Sequence, residues 1–145
     1  MSTRSFVVTD KHPSTHEFKR LAGAYIHWDG YPEGVGVKLA THYTDNDKIN
    51  RLVELRDVSS LRAEVAPPKG ATHTVEKPLE GITVAYGRDD LRVKTEPYLL
   101  TDEAAAIKHA GSMWCEYLYV RDESKTSGWR CIDLATDSEV ELPLT

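Results

Sequence analysis

Two short apolar segments near the C-terminus constrain the fold more than any other feature. Met113–Arg121 (MWCEYLYVR) and Gly128–Leu134 (GWRCIDL) flank the polar run DESKTS, a pattern that predicts a β-hairpin. Side chains alternate across a strand. Trp114, Leu118, Val120, Ile132 and Leu134 therefore share one face, and Cys115, Tyr117, Tyr119, Trp129 and Cys131 share the other. Both faces are apolar or aromatic, so both need cover. Helices would cover one. The other needs the long segment at 62–80 or a binding partner. The expectation carried forward is an interface at Tyr117, Tyr119 and Trp129, used for a partner protein or for a homodimer.

The remaining chain supplies two more strands, a third, and the helices. Arg4–Thr9 is β-branched and reads as a strand, and Phe18–Asp29 reads as its hairpin partner across the turn at Asp10–Ser14. Pro32 suits a helix start. Val35, Leu39 and Tyr43 recur at helical spacing, although Gly34 and Gly36 each cost about 1 kcal/mol against Ala inside a helix. A second helix is predicted over 45–56, capped by Thr44 or Asp45, with Ile49, Leu52 and Val53 on its apolar stripe. Residues 62–78 form a long loop containing Pro67, Pro68, Gly70 and Pro78. Gly81–Gly87 reads as a strand. Arg88–Lys94 reads as a charged connector. Thr101–Gly111 reads as a helix with Thr101 as N-cap and Gly111 as its C′ residue. The order β-β-α-α-β-α-β-β, with strands grouped in hairpins, predicts one α+β domain over 1–145. Its sheet would be mainly antiparallel, of about five strands, with about three helices on one face.

Charge and cysteine usage exclude several classes. Eighteen Lys and Arg against 23 Asp and Glu give a formal charge of −5. A generally basic nucleic-acid binder needs the opposite sign, and on this ground nucleic acid is not expected as a partner. No run approaches the roughly 18 apolar residues of a membrane span, and the first residues lack a secretory pattern, so a cytoplasmic protein without a membrane partner is expected. Cys115 and Cys131 form no CxxC pair and no metal-ligand spacing, so no metal or other cofactor is implied. Whether the two thiols pair is left open by the sequence. His12 and His16 lie four apart, but Pro13 and Ser14 put them in a turn as solvated loop residues.

One constellation carries chemistry. His27 and Asp29 fall on one face of the second strand, with Trp28 opposite as a core anchor, and Gly30-Tyr-Pro-Glu-Gly34 follows. A His–carboxylate pair suits acid–base work, and backbone amides at a glycine-rich turn suit an anion. Tyr31, His42 and Arg88 are the residues expected to join His27 and Asp29 around a small anionic ligand such as a nucleotide. The turn is not a Walker A loop, because Val37 and Leu39 interrupt the required Gly-Lys-Ser/Thr order.

The segment Ala24-Tyr-Ile-His-Trp-Asp-Gly-Tyr-Pro-Glu-Gly-Val-Gly36 resembles a family of small proteins common in phages, prophages and bacterial mobile elements. The likeness continues through His42-Tyr43-Thr-Asp45, Lys48–Leu55, Asp57-Val-Ser-Ser-Leu61, Thr83–Asp89, Glu116–Tyr119 and Trp129. It departs at Ile26, where the family pattern has Cys or Val. The family has no established general activity. The resemblance implies a phage or mobile-element origin and no mechanism. Together with the aromatic sheet face and the 62–80 loop, it leads to the expectation of a non-enzymatic accessory protein acting in the bacterial host by binding a host protein or itself. The alternative is a small-ligand or nucleotide-binding protein, or an enzyme, with its pocket at the His27-Asp29-Gly30 turn.

Overall fold

The structure, a computed structural model, describes residues 2–15 and 20–142. Ser5–Thr9 (β1) and Leu21–Ile26 (β2) pair antiparallel, as expected from their alternating apolar residues, with Ser5 opposite Ile26 and Thr9 opposite Ala22. Phe18 and His16 lie outside the described residues. A π-helical turn, Pro32–Gly36, runs into helix α1 (Val37–His42), and α2 follows at Asn46–Val53. Asp45 caps α2 by accepting from the Asp47 amide at 3.4 Å. The helix stops three residues short of the predicted end. Arg56 takes a left-handed φ of 62°, and the chain enters strand β3 (Asp57–Ser60).

Strand β4 is only Val84–Ala85. Arg88–Asp90, expected as an irregular connector, belongs to a second π-helical turn at Gly87–Leu91. Strand β5 (Tyr98–Leu100) precedes α3 (Glu103–Ser112), which is capped by Asp102 rather than Thr101. The predicted hairpin is present as β6 (Tyr117–Arg121) and β7 (Trp129–Asp133), followed by β8 (Ser138–Val140).

The architecture is α+β, but the sheet is larger and of mixed direction. Among the described residues, eight strands take the order β4-β3-β2-β1-β6-β7-β8, with β5 also on β2. Two of the pairings are parallel, β1 with β6 and β2 with β3. The expectation of about five mainly antiparallel strands missed β3, β5 and β8, each three or four residues long and without a full alternating period. The free side of β2 is shared. Its first half pairs antiparallel with β5 and its last two residues pair parallel with β3.

Helices cover both faces, not one. Val7, Ile26, Tyr119 and Cys131 pack with Val35, Leu39, Tyr43, Ile49 and Leu52 of the π-turn, α1 and α2. Phe6, Val8, Tyr25, Leu118 and Ile132 pack on the opposite face with Ala106 and Ala110 of α3. The apolar doubleness of the β6–β7 hairpin is thus satisfied within the chain.

Helix α3 runs through Gly111, so that glycine is not the C′ residue. The Cys115 amide donates to the Ala110 carbonyl at 3.0 Å and the Trp114 amide to the Gly111 carbonyl at 3.1 Å. This is the Schellman pattern, whose C′ position requires a left-handed residue. That residue is Trp114, at φ 64°, where a side chain with a Cβ costs about 1–2 kcal/mol.

Candidate functional site

Ser5 opens β1, Ile26 closes β2 and Tyr117 opens β6, so all three meet at one end of the sheet. The residues just before β1, residues 27–31 and the turn 113–116 gather there. His27 is half-buried. Its Nδ1 and the Tyr25 hydroxyl are 2.7 Å apart in a hydrogen bond. Its ring meets Trp28 edge-on at 4.7 Å and Tyr86 at 6.5 Å. Burial, assisted by the nearby Arg4 charge, lowers the imidazole pKa below its ordinary value. Asp29 is exposed at φ 58°, and its carboxylate accepts from the Tyr31 hydroxyl at 3.3 Å. His27, Asp29 and Tyr31 therefore do lie together.

The glycine-rich turn is closed by its own backbone. The Gly30 amide donates to the Thr3 carbonyl at 2.8 Å, Gly34 to Tyr31 at 2.9 Å and Val35 to Asp29 at 2.8 Å. These amides are committed and do not form the expected anion cradle. A Cβ at Gly34 would run into the Asp29 carbonyl oxygen. Gly34→Ala is expected to destabilise the fold by about 1–3 kcal/mol, because backbone cannot yield as a side chain does. Urea unfolding measures it, and an unchanged midpoint would contradict the packing of this turn.

His42 is elsewhere. It ends α1, and the next residue's carbonyl, that of Tyr43, accepts from Trp129 Nε1 at 3.0 Å. Trp129 pairs with Arg121, at the far end of β6 from Tyr117. The structure places His42 at the opposite end of the sheet from His27.

Arg88 is also engaged elsewhere. It donates to Asp89 from Nε at 2.7 Å and from Nη2 at 2.9 Å, to the Val65 carbonyl at 2.7 Å and to the Thr83 carbonyl at 2.7 Å. Asp89 is buried and accepts the Ala85 amide at 2.9 Å. The buried His73 side chain donates from Nε2 to the Thr83 carbonyl at 3.0 Å, lies 3.3 Å from Asp89 and accepts the Leu79 amide on Nδ1 at 2.9 Å. The Tyr43 hydroxyl donates to the Arg62 carbonyl at 2.6 Å. This network ties the long 62–80 loop to the sheet edge, so Arg88 is a structural clamp and its carboxylate partner is Asp89, not Asp29.

The expected interface residues are mostly interior. Tyr119 is fully buried and its hydroxyl donates to the Gly30 carbonyl at 2.6 Å. Trp129 is buried with its indole N–H bonded to Tyr43. Tyr117 is half-buried. The face expected to be open is covered by α1, α2, Val65 and Leu142. Cys115 packs in the α3-side core and Cys131 in the other, so the sheet separates them. Both are free, and burial pushes the Cys115 thiol up to about 12 and Cys131 up to about 11. Neither is an activated nucleophile.

His12, expected in solvent, is buried and bonded to Ser14, with its Nε2 3.5 Å from the Glu54 carboxylate. Among the described residues no group of three or more His, Cys, Asp or Glu is placed to hold a metal ion. No helix among them is long and apolar enough to cross a membrane.

What sequence reasoning missed is the exposed aromatic rim. Trp114 is 78% exposed, Trp28 43% and Tyr31 40%. Trp28 was expected in the core, but it lies beyond the end of β2, where strand alternation no longer decides which side is covered. Trp114 was assigned to the hairpin face, but it belongs to the helix terminus that precedes β6. All three belong to the same end of the sheet as His27, and so does Arg4, whose Nη1 reaches the Met113 carbonyl at 3.5 Å. Compared with known proteins, the chain matches no family model, no curated protein and no solved structure.

Proposed function

We propose that this is a non-enzymatic accessory protein of a phage or mobile element that acts in the bacterial cytoplasm by binding another protein through the aromatic end of its sheet. The observation that carries the reading is the collection of Trp28, Tyr31 and Trp114 at one end of the sheet, all exposed while Tyr119 and Trp129 of the hairpin are interior. Exposed Trp and Tyr are the side chains that most often anchor protein interfaces. The resemblance around His27-Trp28-Asp29 supports the origin and takes in two of the residues of this rim. The commitment of Arg88 and of the turn amides to internal bonds favours binding through side-chain surface over a ligand pocket.

The test uses immobilised protein, bacterial lysate and mass spectrometry. Proteins captured by the wild type are expected to be lost, by about tenfold or more, with Trp28→Asp and Tyr31→Asp. Leu99→Asp, exposed on β5 opposite Ala22 in the first half of β2, should retain them. Circular dichroism should be unchanged in all three. The same captured set in every variant, or no specific capture by the wild type, would overturn the reading.

A further inference from the structure

We infer that the corner formed by Arg4 and Trp114 selects a protein segment presenting one carboxylate beside an apolar side chain. This deepens the proposed function and rests on it. Trp114 is unfavourably placed in two independent ways. It holds a left-handed backbone, at φ 64°, in the Schellman position where glycine is the usual residue, and its indole is 78% exposed, so burial does not offset the strain. A residue that glycine would improve locally, with its ring directed to solvent, fits an anchor whose burial comes only with a partner.

Arg4 supplies the charge. Its guanidinium reaches the carbonyl of Met113, next to Trp114, at 3.5 Å. Among the described residues it makes no ion pair within 4 Å, whereas Arg88 and Arg130 are both paired with carboxylates. Ser5 pairs with Ile26 across β1 and β2, so Arg4 and His27 sit on neighbouring strand ends, and the Arg4 charge adds to the lowering of the His27 pKa by burial. A guanidinium without a carboxylate partner, held at the backbone next to an exposed Trp, offers a carboxylate a charge-assisted bond beside an apolar surface.

The surrounding charge limits the partner to a single anion. Asp29, Glu33, Glu116 and Asp133 belong to the same end of the sheet. A polyphosphate backbone needs several cations along its path, and these carboxylates would repel it. The span also suits a peptide. β6, β1 and β2 are neighbours, so Tyr117 and Ile26, the strand ends nearest to Trp114 and Trp28 in the chain, are separated by two strand spacings, about 10 Å, or about three extended residues.

The test is an array of short synthetic peptides in three sets: acidic–apolar, the same sequences with Asp→Asn and Glu→Gln, and basic–apolar. The acidic set is expected to bind at least about tenfold tighter than its amide set. Arg4→Gln should abolish that difference while leaving weak apolar binding. Trp114→Gly should lose binding to every set and at the same time raise the unfolding midpoint. Equal binding of acidic and amide peptides, an unchanged preference in Arg4→Gln, or retained binding in Trp114→Gly would each overturn the inference. So would a concentration-dependent dimer dissociated by Trp114→Gly, which would make a second copy the occupant. Lysate capture lost in Trp28→Asp with no acid preference on the array overturns this inference and leaves the proposed function standing. Capture unchanged in that variant overturns the proposed function itself.

Discussion

Trp129→Ala is expected to lower the stability of the fold by about 3–5 kcal/mol. Its ring is among the largest fully buried groups and packs in the same core as Tyr43, Tyr119 and Leu142. Truncation opens a cavity between β7 and the helical layer. It also leaves the Tyr43 carbonyl without the indole N–H that it accepts at 3.0 Å, and an unsatisfied buried acceptor adds to the loss. Because small domains hold only about 5–15 kcal/mol in total, the variant should sit near its unfolding transition at ordinary temperature. Urea denaturation followed by tryptophan-independent circular dichroism measures the change. A loss below about 1 kcal/mol would mean that Trp129 is not a core residue.

The second large effect is at Asp89. Burial alone would raise its carboxyl, but the hydrogen bonds from Arg88 and from the Ala85 amide, together with the Arg88 charge, outweigh it and hold the pKa below the ordinary value. Asp89→Asn removes the charge opposite Arg88 and is expected to cost about 3 kcal/mol at pH 7. Arg88 keeps its bonds to the Val65 and Thr83 carbonyls, which holds the loss at the lower end of the range for a broken buried pair. The sign of the pH dependence follows from the direction of the shift. A depressed carboxyl stabilises the folded state fully above its unfolded pKa of about 3.9, and that contribution disappears as pH falls through the lower folded value. The gap between wild type and Asp89→Asn should therefore be constant from pH 7 to about 5 and close below about 4. Limited proteolysis within 62–80 should accelerate in the variant, since the carboxylate is one end of the clamp on that loop. A gap that widens toward acid would contradict the arrangement.

The legible parts of the fold were those in which a full period of apolar residues fits one element. The β1–β2 and β6–β7 hairpins and helices α2 and α3 have it, and the structure contains them. β3, β5 and β8 are too short to show a period, and their pairing depends on which neighbour offers a free edge. The parallel pairing of β1 with β6 joins two expected hairpins in a direction no local pattern encodes. The candidate site was legible only in part. His27, Asp29 and Tyr31 fall within five residues of the chain and stay together. Arg88 was assigned by charge alone, and its nearest carboxylate proved to be its neighbour in sequence. Tyr119 and Trp129 were taken as exposed because the size of the helical layer over them could not be read from one strand. Trp114 escaped notice because the C-terminal signal at Gly111 came three residues before the true C′ position.

The pairing of β1 with β6 has a consequence for synthesis. β1 emerges from the ribosome well before β6, with Phe6, Val7 and Val8 in its middle, and Ser5 finds its partner Tyr117 only after 112 further residues are made. At ordinary elongation rates that interval is roughly 5–20 s. During it β1 can pair with β2, but its other backbone edge stays open and apolar, the kind of edge that invites pairing between chains. The β1 edge is therefore open to pairing between chains until residue 117 is made.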